Sequence, residues 1–146
     1  LKIVALEANP QVAELMTGPF ADFSGPLYSR PEVKLLIREA RQFLHETEDR
    51  FDLIQLSLLD SFGGSAAGLY SAAESYLYTR EAFALYLSRL SDSGILAVTR
   101  WLKLPPRDSL RVFSTAVSAL PNGATSTIKS EIPWRSSITT RPNAVR

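Results

Sequence analysis

Residues 50–64 read RFDLIQLSLLDSFGG. The run Phe51 to Ser57 is short and apolar-rich, which predicts a core strand. It empties into Asp60, Ser61 and a pair of glycines, with a further Gly68 close behind. Glycine lets backbone approach a ligand closely and adopt positive φ. A flexible crossover would have the same composition, but a loop this long in a compact domain is more often functional than idle. Three tyrosines follow it, Tyr70, Tyr76 and Tyr78. They either line a pocket or pack the next helix with wet hydroxyls.

The same strand-then-helix rhythm continues on both sides. Upstream, Lys2 to Leu6 predicts a continuous apolar strand fit to be buried on both faces. Asn9 caps a helix that starts at Pro10 and carries a stripe of Val12, Leu15 and Met16, and Gly18-Pro19 stops it. A Gly-, Pro- and aromatic-rich loop leads to a second strand, Val33 to Ile37, and a short helix, Ala40 to Glu46. Downstream, Thr79 caps a helix bearing Phe83, Tyr86, Leu87 and Leu90, ended by Asp92-Ser93-Gly94. A fourth strand, Ile95 to Thr99, follows. After Pro105-Pro106, Asp108 caps a helix with the face Leu110, Phe113, Val117 and Leu120. The tail holds two strand-like runs, 125–129 and 137–140, with Pro133 near the turn between them.

Four alternations of strand and helix predict an α/β fold: a mostly parallel sheet with helices on both faces and a C-terminal antiparallel hairpin. The 146 residues form one domain. Its 45% hydrophobic and 21% charged residues describe a globular chain rather than a disordered one. A formal net charge of +1 gives no reason to expect nucleic acid as a partner. There is no cysteine and one histidine, His45, which excludes disulfides, thiolate metal sites and a multi-histidine metal site. His45 sits among polar helix residues and reads as surface. No apolar run reaches the roughly 18 to 20 residues of a membrane span. The chain opens on a strand at Leu1 and so reads as starting in mid-domain.

In open α/β sheets, ligands bind beyond the carboxyl ends of the strands. The residues there are Glu7, Arg38-Glu39-Ala40, Ser57 to Gly68, and Arg100-Trp101. Glu7 is suited to accept from the vicinal hydroxyls of a ribose, and equally to sit as a solvated acid near a helix start. Glu39 beside the small Ala40 would let a flat ring approach while the acid accepts from an exocyclic amine. It also fits a plain first-turn acid.

Together the strings VALEANPQV, PEVKLLIREARQFL, RFDLIQLSLLDSFG and GILAVTRW resemble, in order and spacing, the spermidine synthase-like group of the S-adenosylmethionine-dependent methyltransferase superfamily. The resemblance extends to about residue 140 and implies a Rossmann-like fold. It implies that Glu7 holds the ribose of an adenosyl nucleoside and that Glu39-Ala40 meets the adenine. It further implies S-adenosylmethionine or its decarboxylated form as cosubstrate, with no metal. The family's acidic run after this strand is matched by Ser57-Leu58-Leu59-Asp60. Asp60 keeps the second acid and is the catalytic candidate, with Tyr70 and Tyr76 facing substrate. Ser57 stands where the family has its base and lines the cofactor side. A serine hydroxyl is a poor base near neutral pH, so aminopropyl transfer is not expected of this site. Methyl transfer, which can run on positioning alone, stays open, and so does nucleoside binding without catalysis.

The family's first strand and glycine-rich turn would lie before Leu1, and without them the sheet lacks its central strand and the cofactor site one wall. The expected partner is a small molecule, an amine among the options. Expected too are a cytoplasmic location, alone or as a domain of a larger protein, and an open choice between monomer and homo-oligomer.

Overall fold

The computed structural model describes residues 1–23, 25–57, 76–100 and 105–121. The fold is α/β and Rossmann-like. Among the described residues, strands β1 (Ile3–Glu7), β2 (Val33–Ile37), β3 (Phe51–Ser57) and β4 (Leu90–Thr99) alternate with α1 (Pro10–Thr17), α2 (Ala40–Glu46), α3 (Arg80–Ser88) and α4 (Arg107–Ser118). A single 3-10 turn, Leu27–Ser29, precedes β2.

Among the described residues the strands form two parallel pairs, β1–β2 and β3–β4. Ile3 lies opposite Val33 and Glu7 opposite Ile37; Leu53 lies opposite Ile95 and Ser57 opposite Thr99. Each strand keeps one edge without a described partner.

The caps explain where the helices begin. Asn9 takes the amide of Gln11 on its side chain, and Pro10 supplies a ready φ for the first turn. Thr79 takes the amide of Ala82. Asp108, expected as a cap, instead lies in the first turn of α4, where the helix dipole favours an acid; Pro106 holds the cap position without a side-chain bond.

The core is built on β3. Ile54 and Leu56 point to one face and pack with Leu44 of α2, Ala82, Phe83 and Tyr86 of α3, and Leu90. Leu53, Gln55 and Ser57 alternate to the other face and are exposed, so this strand is buried on one face only. Phe83 and Tyr86 are fully buried, and their rings meet edge to face at 5.9 Å. Val112, Ala116 and Ala119 bring α4 onto this cluster. The expected stripe of α4 is therefore rotated. Leu110 and Phe113 are more than half exposed, because the small side chains are the ones that permit close approach.

Three further expectations change. Leu90 belongs to β4 rather than to the preceding helix, because the Phe51 amide already bonds the Arg89 carbonyl and draws the chain into the sheet. The pairing then slips between Phe51 and Leu53, so that Leu90 and Ile95, five residues apart, lie opposite positions only two apart on β3. Gly94 fits this irregularity, since a Cβ there would lie 2.8 Å from the Phe51 carbonyl oxygen. On α1 the buried residue is Ala13, whereas Val12 and Leu15 are exposed. β1 is half-buried at most rather than enclosed on both faces. The expected hairpin at 125–129 and 137–140 lies outside the described residues.

Candidate functional site

Parallel pairing brings the carboxyl tips of β1 and β2 to the same end. The Arg38 amide donates to the Glu7 carbonyl at 2.9 Å, so the two tips are tied by backbone immediately before Glu39. Glu7 is partly buried, and its Oε1 accepts from the Asn9 amide at 2.8 Å. Asn9 is itself the cap of α1, so one short relay fixes both the helix start and one oxygen of Glu7. A carboxylate has about four acceptor positions, and the remaining ones on Glu7 suit a diol.

Glu39 is the cap of α2. Its Oε1 accepts from the Arg41 amide at 2.9 Å and its Oε2 from the Gln42 amide at 2.6 Å. Its local role is thus helix capping, and the two amides hold the carboxylate at the tip of β2. Ala40 follows as the first helical residue and is partly buried. At the far end of α2, Arg38 pairs with Glu46. The Gln42 side chain and the Arg38 guanidinium together hold the Glu46 carboxyl below its ordinary range.

Ser57 is exposed at the tip of β3, and its Oγ accepts from the Gln55 side-chain amide at 2.8 Å. Asp60 and Tyr70 lie outside the described residues, as do the glycine loop and Trp101. His45 is exposed on α2.

Where the chain is described again, it is fixed at consecutive residues. Arg41 lays its guanidinium 4.2 Å from the Tyr76 ring centroid and donates from Nη1 to the Tyr76 carbonyl at 3.0 Å. The Tyr86 hydroxyl donates to the Leu77 carbonyl at 3.0 Å. The Tyr78 ring packs between Phe83 and the Arg100 guanidinium, 4.5 Å from its centroid. Thr79 then caps α3. Burial, and after it the charge of Glu39, pushes the Tyr86 hydroxyl well above the ordinary tyrosine range.

Arg41 is the residue that strand-tip reasoning passed over, because it lies two positions past Glu39, inside a helix. The available signal was a cation next to a tip acid, with a tyrosine-rich segment elsewhere in the chain. Arg100 stood among the strand-end residues, but its ring partner is set by the path of the chain after the loop.

Among the described residues no group of three or more His, Asp or Glu side chains is arranged to hold a metal ion. No described helix is long and apolar enough to cross a membrane. An apolar groove of about 250 Å³ lies between α3, β4 and α4, lined by residues such as Leu87, Leu96, Phe113 and Leu120. It faces the early part of β4, away from the strand tips.

No family model matches the chain. It is similar to the polyamine aminopropyltransferase of Korarchaeum cryptofilum (strain OPF8), with 22% identity over 95 residues. Those residues are 65% of this chain and 27% of that protein, so the chain spans about a quarter of its relative's length. The similarity supports a distant, spermidine synthase-like relationship.

Proposed function

We propose that this chain is a spermidine synthase-like transferase domain that binds S-adenosylmethionine, its decarboxylated form or a related adenosyl nucleoside. The observation that carries the reading is the pair of acids at neighbouring parallel strand tips. Glu7 holds acceptor positions suited to the ribose hydroxyls, and Glu39-Ala40 presents a fixed carboxylate beside a small residue for the base. The likeness to an aminopropyltransferase supports the same choice of ligand.

The chemistry at the reactive end is set by Ser57. In aminopropyl transfer an amine nitrogen attacks the carbon next to the sulfonium, the carbon–sulfur bond breaks toward sulfur, and the new ammonium or the incoming one must lose a proton. A carboxylate takes that proton readily; the Ser57 hydroxyl does not. This favours two neighbouring readings on the same scaffold. One is methyl transfer to a nucleophile already neutral or anionic, where holding the reactants in line suffices. The other is nucleoside binding without turnover. Asp60 is the remaining acid of the run, and its part at the acceptor end belongs to this proposal, as do those of Tyr70 and an amine-like small molecule.

The test is calorimetry on the full-length protein with S-adenosylmethionine, its decarboxylated form and methylthioadenosine. Binding of at least one is expected. Silence from all three would end the nucleoside reading. Binding without turnover on a panel of amines would select the non-catalytic form.

A further inference from the structure

We propose that Tyr76, braced on one face by Arg41, is the stacking platform for the adenine ring, with Arg41 as its positioning residue. The inference rests on the nucleoside-binding reading above and assigns Tyr76 to the base rather than to the acceptor substrate. Arg41 is the link. Its amide donates to the Glu39 carboxylate, and its guanidinium covers the Tyr76 ring at 4.2 Å while bonding the Tyr76 carbonyl. One residue therefore links the candidate adenine acid, through its backbone amide, to an aromatic ring 35 residues further along the chain, through its side chain.

The ring is held but not enclosed. Tyr76 is 49% exposed, although one of its faces is under the guanidinium. Its two followers are pinned as well, Leu77 through the Tyr86 hydroxyl and Tyr78 between Phe83 and Arg100. A ring fixed before binding gives up little rotamer freedom on binding, which favours its use as a contact surface. The cation on one face draws on the π density of the ring, and an electron-rich purine stacks well on the depleted opposite face. Ala40, next to Glu39, is partly buried and carries only a methyl side chain. Burial first, and then the charge of Glu39, raises the Tyr86 hydroxyl while Arg41 lowers it, so these groups lie within one another's electrostatic reach.

The experiment is equilibrium binding of methylthioadenosine to the full-length protein, with the purine absorption band followed on binding. Native protein is expected to bind with hypochromism, the mark of ring stacking. Tyr76→Leu should raise the Kd about tenfold, within the range found when a base loses its aromatic platform, and abolish the hypochromism. Tyr76→Phe should retain both. Arg41→Ala should raise the Kd by about two- to fivefold, the range of an exposed cation–π contact, with part recovered in Arg41→Lys. Glu7→Ala, a sugar-side change, should weaken binding while leaving the hypochromism per bound ligand intact. Tyr76→Leu that binds like native protein, or that binds weakly with full hypochromism, would overturn the platform and leave the nucleoside reading standing. Native protein that ignores methylthioadenosine, S-adenosylmethionine and its decarboxylated form would overturn both.

Discussion

The two strand pairs of this chain differ in how they are held. The β3–β4 pair carries nearly all of the described core, with Ala82, Phe83 and Tyr86 fully buried against Ile54 and Leu56. The β1–β2 pair has Ala13 of α1 as its buried residue, while Ile3, Val12, Leu15 and Ile37 are exposed to between 37% and 52%. Yet Glu7 stands at the end of the thinly packed pair and Glu39 begins the helix that follows it. In this molecule, burial secures one pair, and a backbone tie and helix caps organise the tips of the other. On the proposed reading, a ligand at this edge would add contacts that the free protein lacks.

The largest expected consequence is in stability. Phe83→Ala should cost about 3–5 kcal/mol, since a fully buried ring leaves a cavity that its neighbours fill only partly. Leu15→Ala should cost under about 1 kcal/mol, as surface changes usually do. Urea denaturation measures both, and equal costs would erase the contrast between the pairs. Next comes Gly94→Ala. The new Cβ would meet the Phe51 carbonyl at 2.8 Å, and forcing that contact apart should cost about 1–3 kcal/mol. An unchanged denaturation midpoint would mean that β4 shifts freely there.

At the tips the effects should appear in binding instead. Glu7→Ala is expected to weaken nucleoside binding by about 1–3 kcal/mol, the worth of charge-assisted hydrogen bonds, with a far smaller change in stability because its one described side-chain bond is local. An equal affinity in calorimetry would remove Glu7 from the ribose. Thr79→Ala should lower stability by about 1 kcal/mol through the lost cap of α3.

The smallest effect is confined to alkali. The Tyr86 hydroxyl is raised by burial, so above the ordinary tyrosine range near pH 10 the unfolded chain loses a proton that the folded chain keeps. That contribution to stability is complete below the unfolded value and declines as pH rises toward the folded one. Tyr86→Phe should therefore flatten the decline in melting temperature above about pH 10. A decline of native steepness in the variant would assign it to other groups.

Strand and helix positions were legible because local chemistry dictates them. Asn9-Pro10 and Thr79 each supply an oxygen or a ring at the start of a helix, and the apolar runs at 33–37 and 51–57 match strands residue for residue; the cap role of Glu39 emerged only in the structure. Periodicity misjudged the faces. Val12 and Leu15 on α1 are exposed while Ala13 is buried, and Leu110 and Phe113 on α4 are more than half exposed while Ala116 packs on the core, because close packing of a helix selects small side chains that a hydropathy pattern undervalues.

The acids at the strand tips could be named in advance, since parallel strands must deliver their last residues to one end. The brace of Arg41 on Tyr76 could not, because its two members are far apart in the chain and meet only where the segment after the loop returns beside α2. The amino-acid order by itself determined most of the elements, the caps at Asn9 and Thr79 and the acids at the strand ends, all of which depend on interactions a few residues long. Tertiary structure alone decided which strands pair, which helix faces are buried and which aromatic ring Arg41 covers. Those outcomes depend on side chains from distant segments competing for the same space.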